Sequence, residues 1–205
     1  IGQCCGGRVG VDLRFADDAV RNDLLRRTAA EDEQLPHIYV FGAGHVGRAL
    51  AQILAILPVR LQVIDTRREE LSLLPPGIAA RGVAMPEAVV RTAPHGSAYV
   101  IVTHDHALDF LIAQEALKRG DSPYVGMVGS ATKRARFASW FRAEGGDPDA
   151  LERLVLPIGA QGLGDKRPAV IAALAAAEIM VQIGGREAAV VGANTPDFSG
   201  VAIGR

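Results

Sequence analysis

Three glycines in the segment HIYVFGAGHVG, residues 37–47, have the spacing of a phosphate-binding turn. In such a turn Gly42 permits the sharp change of direction, Gly44 lets the backbone approach a pyrophosphate, and Gly47 lets the next helix pack closely on the strand. The helix would begin at His45 and offer its unpaired N–H groups to an anion. The segment predicts a site for a phosphate-bearing ligand, with a purely structural turn as the alternative.

An acidic residue follows the glycines close to the roughly 20-residue spacing that dinucleotide-binding folds use for the ribose. This residue, Asp65, ends the second candidate strand. Its carboxylate favours the ribose diol of NAD, whereas Arg67 and Arg68 beside it could accept the extra phosphate of NADP. The sequence leaves the choice between the two nucleotides open. It has no evident hydride-transfer partner, that is, no Lys, Tyr or Ser pattern at short helical spacing.

Two histidines follow the fourth candidate strand, in the segment THDHALD that starts at Thr103. His104 and His106 would face the same side if the strand continued, and with Asp105 or Asp109 they could bind a metal. The alternative, which the missing third ligand favours, is that Thr103 or Asp105 caps the next helix and the histidines line a cleft without a metal. At near-neutral pH they could also donate hydrogen bonds to an oxyanion.

A second candidate anion site lies in the segment GMVGSATKRARF, residues 126–137. Gly129 and Ser130 end a candidate strand, and Ser130 is placed to cap a helix whose first turn carries Lys133. Cationic side chains beside exposed helix N–H groups would hold a phosphate or a pterin-type anion. An ordinary capped helix with a solvated basic face explains the same residues.

The two cysteines of the chain, Cys4 and Cys5, are neighbours in the segment QCCGG. Adjacent cysteines cannot bridge to each other without strain, so their natural roles are as free thiols, metal ligands or sulfur carriers. Thiolates are soft ligands that suit a transition metal. Two small residues that fill the end of a strand are the alternative.

Composition and charge limit the class of protein. The chain has 205 residues, 49% of them hydrophobic, which is enough for one substantial core. Its formal net charge of -1 gives no electrostatic reason to expect nucleic acid or an acidic membrane surface as partner. Glu178 interrupts the most apolar run, and the paired cysteines do not make a disulfide framework. We therefore expect a cytoplasmic protein without a membrane span.

Apolar strands that alternate with helical segments from His37 onward indicate the fold. This order is typical of a parallel sheet covered on both faces, an α/β doubly wound, Rossmann-like domain. We assign residues 1–36 to the end of an N-terminal domain with a linker that includes a surface helix, residues 37–183 to the Rossmann-like domain, and residues 184–205 to a tail that starts where Gly184-Gly185 ends the last helix. The predicted strands are Arg8 to Phe15, Ile38 to Phe41, Leu61 to Asp65, Ala79 to Val83, Ala98 to Thr103, Tyr124 to Val128 and Leu154 to Pro157, and the predicted helices of the domain are His45 to Leu57, Ala107 to Arg119, Thr132 to Glu144 and Pro168 to Ile183.

The chain resembles the xanthine dehydrogenase accessory family, of the XdhC/CoxI type, in a series of segments that follow the family's order. These segments are QCCGG, VFGAGHVG, VIDTR, VTHDHALD, YVGMVGSATKRARF and PIG followed by a KRPAVIAALAAAEI helix. The resemblance covers nearly the whole chain. It implies a fragment that lacks most of the family's N-terminal domain, of which residues 1–15 would be the end.

The resemblance implies a non-catalytic chaperone that binds the molybdenum cofactor (molybdopterin), protects it during sulfuration and inserts it into a xanthine dehydrogenase-type apoenzyme. It also implies that Cys4 or Cys5 contacts the molybdenum or its sulfur, and that a cysteine desulfurase is a partner. A molybdopterin carries a phosphate, so the glycine turn suits it as well as it suits NAD. The residues expected to bind the cofactor are Cys4, Cys5, Gly42, Gly44, His45, Gly47, Asp65, Arg67, His104, His106, Gly129, Ser130 and Lys133.

An NAD(P)-dependent oxidoreductase is the competing hypothesis. In it the same glycines hold the pyrophosphate, and His104 or His106 acts as general acid. A metal hydrolase is a third hypothesis. The sequence leaves open whether the chain forms a homodimer.

Overall fold

A computed structural model describes residues 15–159 and 164–192, with Gly10 and Leu13, and it describes side chains through residue 185. Cys4, Cys5 and most of the strand predicted over Arg8 to Phe15 lie outside the described residues. The chain divides into two compact units, Ile1–Leu35 and Pro36–Arg205. The first contains helix α1 (Asp18–Gln34), every residue of which is at least partly exposed, as expected of the predicted surface helix.

The second unit is built on a six-stranded sheet. Its strands are β1 (His37–Phe41), β2 (Arg60–Asp65), β3 (Ala80–Gly82), β4 (Ala98–Ile101), β5 (Val125–Met127) and β6 (Leu154–Val155). They lie in the order β3-β2-β1-β4-β5-β6, and each neighbouring pair is parallel. This order and direction are those of the doubly wound dinucleotide-binding fold, with the topological switch point between β1 and β4. The predicted fold class is confirmed.

Helices cover both faces of the sheet. The helices are α2 (His45–Leu54), α3 (Arg68–Leu71), α4 (Pro86–Thr92), α5 (His106–Arg119), α6 (Ala131–Ala143) and α7 (Pro168–Gly192), with a 3-10 helix at Pro148–Arg153. Alternate residues of β1 point to opposite sides of the sheet. Ile38 and Val40 therefore join a core with α2 and α7, while Tyr39 and Phe41 join a core with α4, α5 and α6. The sequence did not reveal α3 and α4, because four and seven residues are too few to display helical periodicity.

The last helix is longer than the sequence indicates. It passes through Gly184 and Gly185 and ends at Gly192, so the prediction that the glycine pair ends it is wrong. Glycine retains its N–H and lowers helix propensity by only about 1 kcal/mol relative to alanine, which neighbouring helical residues can offset.

Helix α7 is also the described segment with the length and composition of a membrane span, with a mean hydropathy of 1.6 over Pro168–Gly185. The core helix of an α/β domain passes the same test. Ala172, Ala175 and Ile179 are fully buried in the core that α7 shares with α2 and the sheet. Glu178 on the same helix accepts hydrogen bonds from the hydroxyl of Tyr124 (2.9 Å) and the N–H of Gly159 (3.2 Å). One face of α7 therefore packs on the core of the domain, whereas Val181 on the same helix is exposed.

Candidate functional site

The glycine turn after β1 has the backbone geometry that its motif predicts. Gly42 has a φ of 112°, in the left-handed region that favours glycine, and a Cβ there would lie 2.4 Å from the carbonyl oxygen of Val102. A Cβ at Gly47 would lie 1.8 Å from the carbonyl oxygen of Gly42. Gly42 therefore permits the turn beside β4, and Gly47 lets α2 pack against the turn.

Gly44 leaves the start of α2 open. It is the N-cap residue of the helix, and a Cβ placed on it would meet no described atom within 4 Å. Glycine has no side chain that could accept a hydrogen bond from the first turn, and the described first turn carries no acidic residue. His45, the first helical residue, is exposed. The helix N-terminus therefore presents main-chain donors and a favourable dipole to an anion.

Asp65 at the end of β2 is buried and accepts four hydrogen bonds. One comes from the N–H of Ala43 in the glycine turn (2.7 Å), and three come from Arg67: its N–H (2.9 Å), Nε (3.1 Å) and Nη2 (2.9 Å). Burial alone would raise the pKa of Asp65, but the hydrogen bonds from Arg67 and Ala43 outweigh it and hold the pKa below its usual value. These bonds use the roughly four acceptor positions of a carboxylate.

Asp65 was expected to accept hydrogen bonds from a ribose, but in this arrangement its acceptor positions are already occupied. Its carboxylate anchors the turn to β2, and a ribose diol could bind it only if Arg67 moved away. Nη1 of Arg67 also lies 3.6 Å from Oε1 of Glu70. Oε2 of Glu70 in turn accepts a hydrogen bond of 2.5 Å from Nη1 of Arg48. Since two carboxylates already neutralise it, Arg67 is a weak candidate for binding an extra phosphate.

The segment after β4 contains a helix cap and a buried acid. Asp105 caps α5 by accepting hydrogen bonds from the N–H groups of Ala107 (2.8 Å) and Leu108 (3.4 Å), which confirms the predicted helix cap. Asp109, one turn into the helix, is fully buried and accepts hydrogen bonds from the N–H (3.2 Å) and the hydroxyl (2.6 Å) of Thr103.

Lys133 neutralises Asp109. The lysine side chain is 9% exposed, and its ammonium donates to the carboxylate of Asp109 and to the carbonyl oxygen of Val128 (2.9 Å). The basic group expected to be available to an anion is thus already paired, because a buried charge without a partner is strongly unfavourable. The ion pair ties the first turn of α6 to the first turns of α5. Sequence spacing did not reveal this ion pair, since it suggested Asp109 only as a metal ligand.

The helix cap predicted in the segment after β5 is confirmed. Ser130 caps α6 by accepting a hydrogen bond from the N–H of Lys133 at 3.3 Å. A Cβ at Gly129 would lie 2.7 Å from the Lys133 side chain and 2.9 Å from that of Leu156. Gly129 therefore lets the backbone pass close to the buried lysine, which is a structural reason for glycine at this position.

A cleft of about 210 Å³ lies where β4 and β5 end. It brings together five residues that were expected to bind the cofactor, and His104 and His106 are exposed at it. The glycine turn lies next to this cleft. A Cβ built on Gly42 would lie 2.9 Å from the backbone nitrogen of Thr103, which lines the cleft. Asp65 and Arg67 are outside its lining, among the described residues. The lining residues are Thr103, His104, His106, Val128, Gly129, Ser130 and Lys133.

The histidines of the cleft do not form part of a metal site in the described part of the chain. Within residues 15–159 and 164–192, no three His, Cys, Asp or Glu side chains are grouped as metal ligands. Asp105 is engaged in capping α5, and Asp109 is bonded to Lys133 and Thr103. His104 and His106 are therefore available as hydrogen-bond donors to an anion rather than placed in a ligand set.

Comparisons with known proteins agree on the fold. The model of the XdhC Rossmann domain family matches residues 38–179. The uncharacterized protein YqeB of Escherichia coli (strain K12) is 31% identical over 155 residues, which cover 71% of this chain but only 27% of YqeB. The crystal structure of a xanthine dehydrogenase from Bacillus halodurans aligns with a TM-score of 0.62 at 19% identity, over 74% of this chain and 44% of that one. That likeness shows the fold alone.

Proposed function

The chain belongs to the XdhC family of xanthine dehydrogenase accessory proteins, whose Rossmann domain it carries at residues 38–179, and we propose that it serves the maturation of a xanthine dehydrogenase-type enzyme. In this role it binds the molybdenum cofactor, protects it during sulfuration and delivers it to the apoenzyme. The chain spans about a quarter of YqeB and less than half of the aligned structure, so the role is proposed for the domain in hand.

The lining of the cleft between β4 and β5 is the observation that carries the proposal beyond the family. Imidazoles, hydroxyls and a glycine backbone line it, and none of the described lining side chains is acidic. Such a surface suits the phosphate of a molybdopterin. His104, His106 and Ser130 are the residues that would hold this phosphate. The uncapped N-terminus of α2 at Gly44 offers a second anion position for a nucleotide-extended form of the cofactor.

Cofactor delivery requires binding and shielding from this chain and no reaction of its own. The cofactor supplies the redox-active molybdenum that the recipient enzyme uses. Cys4 and Cys5 lie outside the described residues, and we propose that the thiolate of one or the other contacts the molybdenum or its sulfur, since soft ligands suit both. A cysteine desulfurase and the apoenzyme are the proposed protein partners.

An NAD(P)-dependent oxidoreductase is the second candidate, because the glycine turn has the backbone geometry of a dinucleotide site. The arrangement of Asp65 weakens it. In an NAD site this carboxylate would accept from the ribose, whereas here its acceptor positions are taken by Arg67 and Ala43. Delivery of a cofactor is therefore the better-supported function.

Anaerobic binding of molybdenum cofactor to this chain tests the proposal, with NAD and NADPH as competitors. We expect Cys4→Ala or Cys5→Ala to abolish binding, and His104→Ala to weaken it about tenfold, as the loss of one hydrogen bond to a charged group predicts. His95→Ala is the matched control, because His95 is an exposed histidine that precedes β4 instead of following it.

The competition separates the two functions. Cofactor binding that depends on a cysteine and on His104, but not on His95, supports delivery. Binding of NAD(P) alone, with affinity unchanged in both cysteine variants, would overturn delivery in favour of the oxidoreductase.

A further inference from the structure

A second and larger space opens beside the cleft, between α5 and α6. This groove has a volume of about 600 Å³. His106, Ser130 and Lys133 line both the groove and the cleft, so the two spaces adjoin. Their volumes together fall in the range of sites for small molecules.

The floor of the groove is aromatic and apolar. Phe110 and Trp140 line it, with ring centroids 5.4 Å apart, and Leu111 beside them is 42% exposed. Phe110 rests edge-on against the fully buried ring of Phe137 at 5.1 Å, which holds the floor in place from below. A planar ring system would find stacking surface here, since aromatic side chains pack favourably on flat π-systems.

The charge of the groove favours an anion. Arg136 lines it and is exposed, and His106 stands where the groove meets the cleft. None of the described lining side chains is acidic; the nearby Asp109 is buried and paired with Lys133. An exposed guanidinium beside aromatic rings recognises planar anions by both charge and stacking.

We propose that the groove takes the planar heteroaromatic part of an anionic ligand, with the ring against Trp140 and Phe110 and the anionic group in the cleft at His104 and Ser130. A pterin that carries a phosphate has this chemistry, so the inference rests on the proposed function and assigns the ring of the cofactor to α5 and α6. The glycine turn is then left to any nucleotide extension.

Trp140 is the single tryptophan of the chain, so its fluorescence reports on the groove directly. The experiment titrates this chain with 6-hydroxymethylpterin monophosphate, with the unphosphorylated pterin and with inorganic phosphate. Equilibrium dialysis measures the bound fraction in parallel. We expect saturable quenching by the pterin phosphate, about tenfold weaker affinity for the unphosphorylated pterin, and no quenching by phosphate alone.

Leu111→Glu places a carboxylate in the groove at a partly exposed position. We expect at least a tenfold loss of affinity for the pterin phosphate, because the carboxylate replaces apolar surface in the part of the groove that takes the ring, and its charge repels the anionic ligand. Leu73→Glu is the matched control, since Leu73 is an exposed leucine outside the groove lining, and this variant should bind like the unchanged chain.

Four outcomes would overturn the inference. The first is binding by dialysis without a change in Trp140 fluorescence, and the second is equal affinity in the Leu111→Glu and Leu73→Glu variants. In the third, no pterin binds, but addition of the xanthine dehydrogenase-type apoenzyme changes the Trp140 emission, which would make the groove a protein-docking surface. In the fourth, the Leu111→Glu variant binds molybdenum cofactor with unchanged affinity, which would overturn the assignment of the groove but not the proposed delivery of the cofactor. Quenching by pterin phosphate without any binding of the cofactor would sink delivery alone.

Discussion

Asp65 and Asp109 are both buried carboxylates where strands of the sheet end, yet the chain neutralises them in different ways. Asp65 is paired with Arg67, two residues along, whose side chain is 26% exposed. Asp109 is paired with Lys133 on another helix, and both members of this pair are buried. The first pair is local and anchors a turn, whereas the second joins two helices beneath the cleft.

The helices that begin at these two places also differ in how their N-termini are capped. On the Asp65 side, α2 starts at Gly44 without a side-chain cap, so its main-chain donors stay available. On the Asp109 side, α5 and α6 are capped by Asp105 and Ser130. The glycine turn therefore offers a ligand backbone N–H groups, while the cleft offers side chains. Anions bound at the two places would respond to different substitutions.

The largest effect should come from breaking the buried pair. Lys133→Met leaves Asp109 buried without its cation, which should lower the free energy of unfolding by about 3–5 kcal/mol. Urea unfolding at pH 7 measures the change. Lys118→Met is the control, because Lys118 forms an exposed pair with Glu115 at 3.7 Å and should change stability by less than about 1 kcal/mol. Equal effects of the two substitutions would show that the buried pair is not stabilised as described.

A smaller, pH-dependent effect should follow from Arg67→Met. The pKa of Asp65 is held below its ordinary 3.8, so its stabilising contribution is present above pH 3.8 and is lost as the pH falls through the lowered folded value. Loss of the charged hydrogen bonds should cost roughly 2 kcal/mol at pH 6. The difference in the free energy of unfolding between Arg67→Met and the unchanged chain should become smaller below pH 3.8. Urea unfolding over a series of pH values measures it.

Arg167→Met supplies the matched comparison. Arg167 donates its N–H and its guanidinium to Asp165, two residues earlier, as Arg67 does to Asp65, but its side chain is 79% exposed. Exposed pairs contribute little, so this substitution should change stability only slightly. A difference for Arg67→Met that stays constant from pH 6 to pH 3 would contradict the assignment to the Asp65 carboxylate.

The smallest effect on stability should come from exchanging the helix caps. Gly44 has φ −67° and ψ −170°, which serine adopts readily at an N-cap, so Gly44→Ser should raise stability by a few tenths of a kcal/mol. Ser130→Gly should lower it by a similar amount. The new hydroxyl would accept from the N–H groups of α2 and compete with an anion there. Unchanged binding of NAD and of the cofactor in Gly44→Ser would place neither of them on that turn.

Short-range features were readable in the sequence because their geometry depends on a few neighbouring residues. This class includes the glycine turn at Gly42 and Gly47, the helix caps Asp105 and Ser130, and the apolar strands of the parallel sheet. Helix ends and very short helices were less predictable, as the continuation of α7 through Gly184 demonstrates. Local propensity is weak compared with the packing of a helix on a core.

The sequence by itself determined the fold class, the glycine turn and the positions of His104, His106 and Ser130 directly after strands of the sheet. Only the tertiary structure decided which charges remain available to a ligand. It commits Lys133 to Asp109, twenty-four positions away, and fills the acceptors of Asp65 with Arg67 and the turn. The physical reason is that a buried charge must find a partner, and that partner is chosen by proximity in space, which sequence spacing does not encode.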